Sequence, residues 1–90
     1  MLPAPFRRLF WDIDTETFEP TAFPQYTIER ILELGDEQAV RWLWSLFTAE
    51  TIATALRNSR QLSPRSANFW ALMLDLPRSQ VQALRQAGQT

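Results

Sequence analysis

Cysteine, histidine and lysine are all missing from this 90-residue chain, and glycine occurs only at Gly35 and Gly88. Without cysteine there is no disulfide framework and no thiolate metal site, so nothing ties the chain to an oxidising compartment, and a reducing cytoplasm fits it. Losing histidine as well removes the commonest general base, the usual nucleophile pairing and most transition-metal sites. The lack of lysine excludes Schiff-base chemistry and the phosphate-loop lysine, and two isolated glycines make no phosphate-cradling loop. No apolar run has the length of a signal peptide or a membrane span. A non-enzymatic protein is expected, with no catalytic residue, cofactor, metal or membrane partner.

Ten carboxylates and nine arginines leave a formal net charge of -1, which gives no overall nucleic-acid signal. The charges are unevenly spread. Asp12, Asp14, Glu16 and Glu19 crowd the N-terminal part, whereas Arg57, Arg60 and Arg65 face only Glu50 between Thr48 and Leu74. Six phenylalanines, four tryptophans and one tyrosine supply a large apolar payload for a short chain, each ring burying roughly 150–250 Å² when packed. The length suits one domain, residues 1–90, because two cores would each fall near the limit for independent folding.

Residues 1–24 hold four of the six prolines and read as an ordered arm, since Phe6, Phe10, Trp11, Ile13, Phe18 and Phe23 are too apolar for a disordered tail. The pattern allows a short helix near Arg7 to Trp11. The body, residues 25–88, turns helical at Gln25, with Ile28, Ile31 and Leu32 on one face and Gly35 as the stop. Asp36 caps a second helix, Glu37 to Phe47, whose apolar residues run around most of its circumference, so that it should be central or at an interface. Trp42 and Trp44 lie about 200° apart on it, so one must turn away, to be covered by the arm or offered to a partner. Thr48 caps a third helix to about Asn58, a candidate left-handed terminator. Ser63 and Pro64 open a fourth, to about Leu74, and Pro77 opens a last one through Val81 and Leu84 to Gly88. The fold class is therefore all-α, a compact bundle of about five short helices with an aromatic, proline-containing arm.

Asp12, Ile13, Asp14, Thr15 and Glu16 resemble the opening of a calcium loop, but the sixth and twelfth positions hold Thr17 and Phe23 instead of glycine and glutamate. An aspartate-phosphatase reading fails too, at Glu16 and for want of a lysine. The third and fourth helices could form a helix-turn-helix, with Arg57, Arg60, Arg65, Ser66 and Asn68 as the candidate DNA contacts. Against that stand the missing turn glycine, the bulk of Phe69 and Trp70, and the acidic chain.

From Leu9 onward the chain resembles an uncharacterised bacterial family of small helical domains, encoded beside nucleotidyltransferase-like toxins of the abortive-infection type. The matching residues are Leu9-Phe10-Trp11-Asp12, Ile28-Glu29-Arg30-Ile31-Leu32-Glu33, Gly35-Asp36, Arg41-Trp42-Leu43, Ser59-Arg60, Leu62-Ser63-Pro64 and Asn68-Phe69-Trp70-Ala71. An extended stretch around Glu19 to Pro24 departs from the pattern. The resemblance implies an antitoxin or adaptor that binds a cognate toxin, with no catalytic motif. Trp11, Asp12 and Asp14 on the arm and Arg60 and Arg65 on the later turn are the expected partner contacts, and a homodimer is compatible with the sequence. A DNA-binding transcriptional regulator is the alternative.

Overall fold

The structure, a computed structural model, describes residues 2–84. Pro5, with φ fixed and no donor to lose, opens a 3-10 helix, Ala4–Leu9, a few residues ahead of the expected helical turn. A second 3-10 helix, Pro20–Ala22, leads directly into α1 (Pro24–Leu34). Then come α2 (Glu37–Leu46), α3 (Ala49–Asn58), α4 (Pro64–Met73) and a 3-10 helix, Arg78–Gln80. No strand occurs among the described residues, and the molecule is an all-α bundle.

The caps are those the sequence announces. Asp36, Thr48 and Ser63 accept hydrogen bonds from the amides of Ala39, Thr51 and Ser66, which would otherwise be orphaned at the starts of α2, α3 and α4. The terminators differ. Gly35 is extended (φ -74°, ψ 152°) and not left-handed; glycine is needed because a Cβ there would lie 2.6 Å from the Ile31 carbonyl oxygen. Asn58 is the last residue of α3, not a left-handed stop, and the described non-glycine residue with positive φ is Asp75, at 55°. After α4 the Leu76 amide reaches the Ala71 carbonyl (2.8 Å) and the Asp75 amide the Leu72 carbonyl (3.3 Å), the paired bonds of a Schellman motif with Asp75 in the glycine position. The helix expected from Pro77 is broken: Val81 is extended and fully buried after a single 3-10 turn, and a further helical turn covers 82–84. The rest of that expected helix, to Gly88, lies outside the described residues.

The arm is part of the core. Leu2, Phe6, Leu9 and Phe10 are buried with Ile28, Ile31 and Leu32 of α1, Leu43 of α2, Ile52 and Leu56 of α3, Ala67 and Ala71 of α4, and Val81 and Leu84. Each large side chain so removed from water contributes about 1.5–3 kcal/mol. Trp42 packs on Phe6 of the arm, ring centroids 5.2 Å apart, and Trp44 on Trp70 of α4 at 5.6 Å. The two tryptophans do diverge, and the arm covers Trp42. The central helix is α1 and not α2: it packs against α2, α3, α4 and both 3-10 helices of the arm, while α2 buries only Ala39 and Leu43.

Candidate functional site

Tyr26 and Arg30 stand one turn apart on α1 and meet the arm where it passes over them. The Tyr26 hydroxyl donates to one oxygen of Asp12 (2.8 Å), and Arg30 Nη2 donates to the other (2.5 Å) and to the Tyr26 oxygen (2.9 Å). The Arg30 guanidinium also lies under the Trp11 ring, 4.6 Å from its centroid, and 5.1 Å from that of Tyr26. Cation and ring face attract in such a geometry. Trp11 is nonetheless 69% exposed. Its ring is fixed from one side only, and the other faces solvent.

The Tyr26 bond, with Arg30 behind it, holds the Asp12 carboxyl below its ordinary value. Burial, followed by the bond to Asp12, raises the Tyr26 phenol. Asp12 thus stays charged and Tyr26 protonated near neutrality.

Beside this corner opens a cleft of about 540 Å³ lined by Asp12, Tyr26, Glu29, Arg30, Glu33, Leu34 and Gln61. Glu29 and Glu33, again one turn apart, reach across it to the α3–α4 connection. Glu29 accepts from the buried Ser59 hydroxyl, and Glu33 from the Ser63 amide (3.1 Å) and hydroxyl (3.2 Å). Ser59 in turn accepts from the Gln61 and Leu62 amides. Two carboxylates of the central helix therefore fix the connection that a helix-turn-helix would use, and place negative charge beside it.

Of the expected partner contacts, the structure brings Trp11 and Asp12 together at this corner. Asp14 is exposed and turned to its own loop, accepting from the Glu16 amide at 3.1 Å. Arg60 and Arg65 are exposed on the connection and the first turn of α4, where only Gln61 reaches the cleft lining. In the DNA-contact set, Arg57, Arg60 and Arg65 form no ion pair among the described residues. Asn68 Oδ1 is occupied by Arg78, and the Ser66 amide by Ser63. Tyr26, Arg30, Glu29 and Glu33 were missing from the sequence-derived site. Their i,i+4 pairing is visible in the sequence, but not the arm and turn residues they hold.

The family model matched by the chain is that of a family of unknown function (DUF6922), over residues 6–56. More than half of the chain is covered, including most of the arm, α1, α2 and most of α3, and the chain belongs to this family. The stretch Glu19 to Pro24 lies inside the match, and Ser59 to Ala71 outside it. No curated protein and no solved structure matches the chain. Among the described residues no helix is long and apolar enough to cross a membrane.

Proposed function

We propose that the chain is a non-enzymatic protein-binding module of the bacterial cytoplasm whose principal contact is Trp11 with the adjoining cleft. The observation that supports this is a tryptophan ring pinned on Arg30 and open to solvent beside carboxylates. Tryptophan and arginine are the residues most enriched where binding energy concentrates. A ring already ordered loses little freedom when a partner covers it. Glu29 and Glu33 suit a partner with a basic side chain near its apolar contact.

Antitoxin or adaptor to a nucleotidyltransferase-type toxin is the form of this role implied by the resemblance. Co-purification of the tagged chain with the product of the adjoining gene, followed by sizing, tests it. A stoichiometric complex is expected; a chain that elutes alone rejects the toxin partner.

One observation favours a DNA-binding regulator as a second reading: Arg57, Arg60 and Arg65, around the connection between α3 and α4, form no ion pair among the described residues. It requires duplex binding that falls steeply with salt and weakens on Arg65→Ala. Glu29 and Glu33 beside the connection weigh against it.

A further inference from the structure

The fourth helix is packed the wrong way round for an ordinary surface helix. Its buried residues are the small ones, Ala67 and Ala71. Large apolar residues point outward: Phe69 is 52%, Leu72 73% and Met73 64% exposed. At spacings of three and four they share one helical face, and contiguous exposed apolar residues of this kind mark contact surfaces. Phe69 is held edge-on against Trp70, centroids 5.0 Å apart, and Trp70 is anchored by its indole N–H on the Leu32 carbonyl. The face is therefore mounted on the core.

Its ends are oppositely charged. Arg65 lies in the first turn and Asp75 just past the last, both exposed and neither in an ion pair among the described residues. Ten positions separate them, on the order of 15 Å of helix, with Phe69 and Leu72 between. We infer that this face pairs with the same face of a second copy of the chain, the two α4 helices running antiparallel about a two-fold axis near Trp70. In that register Phe69 of each copy meets Leu72 and Met73 of the other, and Arg65 meets Asp75, twice. A self-complementary patch is what an isologous interface requires, and antiparallel helices also oppose their dipoles favourably. Three apolar side chains per copy form a small patch beside the roughly 800 Å² per partner of a stable complex. The dimer is accordingly weak and concentration-dependent.

Sedimentation equilibrium of the full chain, from about 1 µM to 1 mM, tests this. Wild type is expected to pass from monomer to dimer, and Leu72→Asp and Arg65→Glu each to raise the dissociation constant at least about tenfold. Arg65→Glu combined with Asp75→Lys should restore it to within about threefold. Asp75→Asn, which tolerates the left-handed backbone and removes only the charge, should weaken it several-fold, with circular dichroism verifying folding throughout. A monomer over the whole range, or a dimer indifferent to Leu72→Asp, overturns the pairing. So does a monomer that instead binds a different protein or a vesicle through Leu72. Trp11→Ala is expected to leave the dimer intact, which separates this surface from the proposed partner site.

Discussion

Asp12 joins the arm to α1 through both of its oxygens, and its depressed pKa makes that junction sensitive to acid. A carboxyl whose folded value lies below its ordinary 3.8 stabilises the fold above that pH, and the contribution is lost as pH falls through the depressed value. Asp36 shifts the same way, first through the Ala39 amide at the start of α2 and then through Arg8. Thermal melts should therefore show a falling midpoint below about pH 4, and Asp12→Asn should flatten part of that fall. An identical acid limb in the variant would contradict the linkage. At Gly35 the constraint is steric. Alanine would press on the Ile31 carbonyl at 2.6 Å and on Ala39 Cβ at 3.1 Å, so Gly35→Ala should cost about 1–3 kcal/mol in urea titrations although φ there is ordinary.

The elements show what local chemistry can announce. Asp36, Thr48 and Ser63 are legible as caps because a cap needs only a short side chain and the next three amides. Leu74 to Leu76 were not legible as a Schellman turn, because the sequence places aspartate where glycine is usual. Asp75→Gly should accordingly gain about 0.5–1 kcal/mol by relieving the left-handed backbone, measured by the same titrations; a loss would mean that the aspartate side chain itself supports the turn. The centrality of α1 was hidden for a different reason. Its polar residues read as a solvent-facing surface, yet Gln25, Glu29, Arg30 and Glu33 each meet a partner 18 to 30 residues away in sequence. The Trp11 corner depends on those long-range pairings, so Trp11 and Asp12 could be picked out while Tyr26 and Arg30 could not. In α4, apolar composition alone could not tell that Ala67 and Ala71 face inward while Leu72 and Met73 face out.

At the scale of the molecule, the arm and the helices share one hydrophobic core among the described residues. Phe10 is fully buried and its ring touches those of Phe18 and Tyr26 at 5.5 and 5.9 Å. Phe10→Ala should cost about 3–5 kcal/mol, a large part of the 5–15 kcal/mol typical of a domain, and should unfold arm and bundle in a single urea transition. A biphasic transition would make the arm a separate unit. The corner that the arm builds is where partner binding is proposed, and it can be altered without touching the core because Trp11 is mostly in solvent. The decisive measurement is a calorimetric titration of the co-purifying protein into wild type and Trp11→Ala, matched for thermal stability. Affinity is expected to fall at least about thirtyfold, the loss of a tryptophan hot spot of roughly 2 kcal/mol or more; equal affinity of the two chains would contradict the Trp11 corner as the partner site.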